Sequence, residues 1–247
     1  MTFELTVSLL VGAAAGGFIN GLAGFGTALL SLGIWLQVLP PWQAVAIAAA
    51  MSVISGGQGL WAIRENLWPA RKRLVRFLLP AVIAIPLGVS ALRYIDAGTL
   101  KITIAAFMLF YGAFFVIRRS LPEITRSTPV TDITVGFFSG VLGGAASLSG
   151  ALPTMWCAMR PWSKSETRAV LQPFNFLVLL ITALVYAFQG YYSSQTLIFI
   201  AVAFPATLIS SQIGIAVFRR LTDHQFRWML IWLLFLSGAL LMLRELA

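Results

Sequence analysis

Thiol, imidazole and carboxylate groups are scarce in this chain: its 247 residues hold one cysteine, one histidine and eight acids, and only 10% of residues are charged. The single Cys157 excludes an internal disulfide and any multi-thiolate metal site, and its place beside Trp156 in an apolar run reads as packing. His224 sits in "LTDHQFR" next to Asp223, and the acids Glu4, Glu65, Asp96, Glu123, Asp132, Glu166, Asp223 and Glu245 all fall at the ends of apolar segments. Within those segments no paired carboxylates, metal-ligand cluster or serine with a histidine partner can be assembled. The sequence therefore predicts no catalytic residue, no metal and no cofactor. No stretch has the polar, alternating or disordered composition that a cytoplasmic module or a flexible tail would need, which leaves nothing for a soluble domain and makes residues 1–247 one unit.

What is present is apolar: 59% of residues are hydrophobic, mean hydropathy is +0.90, and there are eight tryptophans. That composition predicts an all-α, polytopic membrane protein. Apolar runs at 44–63, 77–92, 100–117, 169–188, 196–218 and 228–243 are each about long enough to cross a hydrocarbon core of ~30 Å as a helix. Two stretches, 5–39 and 133–159, are too long for one ordinary span and rich in glycine. The opening "MTFELTVSLL" has no Lys or Arg before its apolar run, so it does not read as a cleaved signal. Although the net charge is +9, the basic residues flank hydrophobic segments, which points to lipid headgroups and away from nucleic acid.

The chain repeats itself. Gly12, Gly16 and Gly26 recur as Gly136, Gly140 and Gly150 at a spacing of 124, and Pro41-Trp42 recurs as Pro161-Trp162 at 120. Gly88, Arg93, Lys101 and Gly112 recur as Gly214, Arg219, Arg227 and Gly238 at 126. These matches divide the chain into repeat one, 1–120, a linker at 121–129 within the polar run Arg118 to Asp132, and repeat two, 130–247. Two corresponding loops carry opposite bias in basic charge. "RENLWPARKRLVR" carries five cations against none in "QGYYSSQ", while "QVLPPWQ" carries none and "MRPWSKSETR" carries Arg160, Lys164 and Arg168. Cytoplasmic loops attract Lys and Arg, so this swap predicts halves inserted upside down relative to each other. Inversion needs an odd number of crossings, met if 5–39 and 133–159 each fold as a hairpin of two short helices followed by about three further spans. A parallel repeat of four plain spans is the alternative, favoured by basic residues near 93–101 and 219–227 in both halves.

Glycines four apart suit close helix packing, but "NGLAGFG" and its counterpart "GGAASLSG" are too dense in glycine and serine for stable helix. Paired breaks at membrane depth point to a midplane transport site, with half-helix N-termini aimed at an anion. The candidates for substrate contact are Asn20, Gly24, Gly26 and Thr27 in the first break and Ser147, Ser149, Gly150 and Thr154 in the second. Ser52 and Ser55 align with Gln172 and Asn175 at a spacing of 120; each pair is three apart and so shares a helical face. Pro173 loosens the second copy. Interhelical glue is the competing reading of these polar residues, and Gln58, Ser210, Ser211 and Gln212 serve it equally well.

The two breaks, followed by "PPWQAVAIAAAMSV" and "RPWSKSETRAVLQPFN" in a chain of this length, resemble the sulfite exporter TauE/SafE family, also called the 4-toluene sulfonate uptake permeases. The resemblance covers nearly the whole chain. It implies a secondary transporter moving small anions, such as sulfite, sulfonates or related carboxylates, across the bacterial or archaeal cytoplasmic membrane; the lack of an ionisable carboxylate or histidine within the spans argues against proton coupling, and an inside-negative potential then favours export. Its partners would be a small anionic substrate and the lipid bilayer, with homodimerisation left open. A passive anion channel or an accessory membrane assembly protein is the alternative. Family members often carry alanine followed by threonine and serine in the second helix of each repeat. Here "AAAMSV" and "AVLQPF" stand there, so amides partly replace the hydroxyls, and the resemblance leaves open whether the substrate is plain sulfite.

Overall fold

Glycine and serine decide where the long apolar runs turn back. The computed structural model describes residues 2–92 and 124–226 continuously, and scattered positions within 94–113 and 228–239. The expected spans 100–117 and 228–243 lie mostly outside the described residues, as do Arg93, Lys101, Gly112, Arg227, Gly238 and linker positions 118–123.

Helix α1 (Phe3–Ala23) begins where the Thr2 hydroxyl accepts from the Leu5 N–H, and ends at Gly24, whose φ of 85° few other residues adopt. Gly26, at φ 96°, completes the reversal. Helix α2 (Thr27–Trp35) then runs back along α1. The Ser31 hydroxyl donates to the Gly12 carbonyl at 2.7 Å, and the Trp35 indole donates to the Ser8 carbonyl at 3.2 Å. The second break folds alike: α5 (Pro129–Ala146) stops at Ser147, φ 56°, and α6 (Ala151–Ala158) returns. Both glycine-rich segments are hairpins, each of one long and one short helix.

Between and after them stand α3 (Pro41–Ala62), α4 (Arg64–Leu92), α7 (Lys164–Phe188) and α8 (Ser194–Arg220). The stretch 64–76, read from sequence as a basic loop, is the helical start of α4. Arginine, lysine and leucine are good helix formers, so the helix continues where the apolar layer stops. Helix α7 likewise starts five residues before its apolar run, at a capping box in which Ser163 and Glu166 each bond the other's backbone. All eight helices are α-helical and no strand occurs among the described residues. Helices α1, α3, α4, α7 and α8 are long and apolar enough to cross a membrane. The central α3 and α7 are the most buried of them.

Small residues set the two largest helix contacts, α1 on α8 and α4 on α5. A Cβ on Gly17 or Gly21 would strike the backbone of Thr207 or Ser211; one on Gly140 or Gly144 would strike that of Ala81 or Ile85. Gly214 and Gly88 reciprocate, against the carbonyls of Phe18 and Val141. The contact pattern thus recurs at 123 in the first helix of each half (17 to 140, 18 to 141, 21 to 144) and at 126 in the fourth (81 to 207, 85 to 211, 88 to 214). Glycines matched at 124 in the sequence do different work. Gly12 and Gly16 receive Trp35 and Ser31 of their own hairpin, whereas Gly136 and Gly140 receive Phe77 and Ala81 of α4.

These contacts also give direction. Helices α1 and α8 run parallel, as do α4 and α5, and the two pairs point in opposite directions, since the starts of α4, α5 and α7 share one end with the end of α8. At one end Arg73 meets Glu166 at 3.3 Å, Arg76 bonds Ser127 at 3.2 Å, and the Lys164 amine reaches the Phe218 and Leu221 carbonyls. The described Lys and Arg residues gather there. At the other end the Trp42 and Tyr191 rings lie 5.9 Å apart and Gln43 donates to Thr196 at 3.1 Å.

Candidate functional site

The two hairpin turns meet inside the bundle. Phe25 packs so closely on Gly150 that a Cβ at that position would overlap the ring, and Gly24, Phe25 and Ser147 to Gly150 are all buried. Gly26 is half-buried. Around this junction the candidate side chains divide into those already satisfied and those that are not.

Satisfied groups behave as packing. Ser147 donates to the Val45 carbonyl at 2.9 Å, Thr154 to the Gly150 carbonyl at 2.7 Å, and Ser55 to the Met51 carbonyl at 2.8 Å, the last two within their own helices. The Asn20 amide donates to the Thr27 hydroxyl at 2.8 Å, tying the end of α1 to the start of α2. Ser149 donates to Asn175 Oδ1 at 2.6 Å, tying the second break to α7. Left over, buried and without a partner among the described residues, are Asn20 Oδ1, the Ser52 hydroxyl and the Asn175 amide nitrogen. Burying such a group unpaired costs about 1–3 kcal/mol, so each marks a place where a ligand or water gains by binding.

Gln172 is wedged between Gly24 and Gly59, both of which need to lack a Cβ to admit it. Its Nε2 donates to the Gly56 carbonyl at 3.3 Å and its Oε1 accepts from Arg168 Nε at 3.3 Å. It positions Arg168. That arginine is the residue the sequence reading missed as a site residue. It is 1% exposed, donates through Nη2 to the Gly21 carbonyl at 2.7 Å and through Nη1 to the Leu22 carbonyl at 3.3 Å, and lies 4.1 Å over the Phe218 ring. Those carbonyls belong to the last turn of α1, where unpaired acceptors and the negative end of the helix dipole both favour a cation. Among the described residues no carboxylate pairs with it. A readable signal existed: the capping box starts α7 at Ser163, which puts Arg168, Gln172 and Asn175 on one face at i, i+4 and i+7.

Facing Gln172, α3 presents Gly56 and Gly59, with Ser52 one turn earlier on the same helical face. A recess of about 370 Å3, lined by Gly57, Gln58, Trp61, Gln212, Ile215 and Arg219, opens between α3 and α8 beside the α3–α7 contact. Ser210 bonds the Thr207 carbonyl at 3.2 Å, and the Ser211 hydroxyl is buried without a partner among the described residues. The arrangement supplies a fixed positive charge and neutral hydrogen-bonding groups in an apolar surround, which suits an anion.

Comparison with known proteins agrees. A family model described as sulfite exporter TauE/SafE matches residues 8–241. A protein named as a probable sulfite/organosulfonate exporter TauE, from Cupriavidus necator, is 25% identical over 207 residues, covering 81% of this chain and 79% of its own.

Proposed function

Because the chain belongs to the sulfite exporter TauE/SafE family, a family of membrane transporters, we propose that it exports sulfite or a small organosulfonate across the cytoplasmic membrane. The observation that carries this reading is Arg168, a buried cation with no described carboxylate, seated at the end of α1 where the two hairpins meet. An oxyanion there completes the charge, and Ser52 and Asn175 donate to its remaining oxygens. Both breaks contribute directly or through one neighbour, since Gly24 seats Gln172 and Ser149 holds Asn175.

The opposed directions of α1 and α5, and of α4 and α8, support an inverted repeat, and so does the placing of basic residues at one end. By the positive-inside bias that end faces the cytoplasm. The recess beside Arg219 then serves as the inward mouth, and alternating access needs the two halves to rock about the Phe25–Gly150 contact. A monoanion leaving a cell that is negative inside gains about 2.3 kcal/mol per 100 mV, enough to drive export without a coupling ion.

The purified protein alone in proteoliposomes tests this. Radiolabelled sulfite uptake that saturates and shows counterflow against internal sulfite is the expected result, and an inside-negative potential set with potassium and valinomycin accelerates efflux. Flux without counterflow means a channel, and no flux of any sulfur oxyanion means an accessory role; either result overturns the proposal.

A further inference from the structure

A second polar cavity, of about 200 Å3, lies at the basic end, away from the hairpin junction. It is enclosed by the start of α4, the segment 124–128, the start of α5 and the end of α6. Four arginines are among the residues that line it, Arg73, Arg76, Arg126 and Arg160. Two described carboxylates oppose them. Asp132 is shared between Arg160 at 3.4 Å and Arg76 at 3.8 Å, and it also accepts the Trp156 indole at 2.7 Å; Glu166 takes Arg73 at 3.3 Å.

The four arginines differ in what holds them. Arg160 is 6% exposed and clamps the chain before α5, donating to the carbonyls of Ile124 at 3.1 Å and Arg126 at 2.5 Å and to the Thr128 hydroxyl. Its Nε is buried with no partner among the described residues. The Arg76 and Arg126 side chains are exposed at the mouth, and the Arg126 guanidinium pairs with no described carboxylate. Helix α5 begins in the same place without a side-chain cap, because the Thr128 hydroxyl is turned to Arg160. Surplus guanidinium charge and the buried, unpartnered Arg160 Nε therefore border one small volume, which is a combination that phosphate oxygens satisfy.

Depth narrows the source. Trp162 stacks under Arg73 at 4.6 Å, Trp156 under Arg160 at 4.9 Å, and exposed Trp68 under Arg71 at 4.0 Å. Tryptophans of this kind mark the headgroup layer, where basic pockets between spans take up anionic lipid. We infer that the cavity binds a phosphate group, delivered by an anionic phospholipid headgroup or by free phosphate. Bound there, it links 124–128, the segment joining the two halves, to α4.

Thermal unfolding of the protein in neutral detergent reads this out, since a ligand that binds the native state raises its stability by mass action. The arms are inorganic phosphate, phosphatidylglycerol added to the micelles, phosphatidylcholine as the uncharged control, and sodium chloride at matched ionic strength. A saturable rise in Tm of a few degrees is expected with phosphatidylglycerol, and it is lost in Arg76→Gln/Arg126→Gln. A rise with inorganic phosphate as well assigns the site to soluble phosphate; a rise with the lipid alone assigns it to the headgroup. Should the double variant fail to fold, Arg126→Gln alone tests the same point, because no carboxylate among the described residues depends on it. The inference is overturned if neither phosphate source exceeds chloride, or if the variants respond as wild type does. Stabilisation by sulfite persists in these variants, which separates this cavity from the Arg168 site.

Discussion

Arg168 donates to the carbonyl of Gly21 across 147 residues of chain, joining the N-terminal part of α7 to the last turn of α1. The guanidinium replaces the hydrogen bonds that the end of α1 would otherwise lack, and it keeps its charge uncompensated by any described carboxylate. One residue thus holds the two halves together and attracts an anion. An oxyanion competes with the α1 carbonyls for the same N–H groups, so binding and release of α1 are coupled.

The unpartnered donors predict a split between stability and binding. Ser52→Ala removes a buried hydroxyl that bonds nothing described, so the thermal midpoint stays within a degree or rises, while sulfite binding weakens about 3–10-fold, the worth of one neutral hydrogen bond. Ser55→Ala, whose hydroxyl already bonds Met51, leaves affinity unchanged. Titration calorimetry on both variants decides; equal affinity in Ser52→Ala and wild type removes Ser52 from the site.

The hairpin junction predicts two different failures from two glycines. At Gly150, with φ −81°, alanine fits the backbone but overlaps the Cβ, Cγ and Cδ2 of Phe25, so Gly150→Ala is destabilising and Phe25→Gly, which removes all three atoms, partly rescues it. Gly26 has space, its nearest neighbour being Ile19 at 3.4 Å, but φ 96° costs an L-residue about 1–2 kcal/mol that no neighbour can restore. A double-mutant cycle in thermal unfolding therefore shows coupling for Gly150 with Phe25 and none for Gly26 with Ile19. Coupling at Gly26 alone contradicts the assignment.

The packing glycines can be ranked in the same way. Gly21→Ala and Gly144→Ala each push a methyl into backbone and lower Tm sharply. In Gly57→Ala the added methyl meets only Phe176, at 4.0 Å, and the change gains up to about 1 kcal/mol of helix propensity. A stabilised or neutral Gly57→Ala beside two destabilised variants is the expected outcome in unfolding scans.

The hairpins were legible from the glycine and serine gathered in two overlong apolar segments, although the helices continue through Gly21 and Gly144 and the chain turns only at 24–26 and 147–150. The all-α architecture was legible from length and hydropathy. The register of the first repeated helix was not: α1 has glycine at both 16 and 17, so spacings of 124 and 123 look equally good until contacts show that Gly17, not Gly16, does what Gly140 does. Arg168 was hidden for a related reason. Hydropathy marks the apolar layer, so α7 read as starting at 169 and its buried cation as a loop charge, although Ser163 and Glu166 spelled an earlier start. Gln172 was visible as a polar residue in a span, but its role of seating Arg168 against Gly24 and Gly59 depends on two distant glycines that no spacing reveals.

The central claim is that Arg168 carries the anion. Sulfite counterflow in proteoliposomes, compared between wild type, Arg168→Lys and Arg168→Gln at matched reconstitution, tests it most directly. Removing a charge-assisted bond worth about 1.5–3 kcal/mol predicts a loss of about 10–100-fold for Arg168→Gln, with Arg168→Lys, which keeps the charge but not the planar fork, falling between. Counterflow in a folded Arg168→Gln equal to wild type would contradict the account.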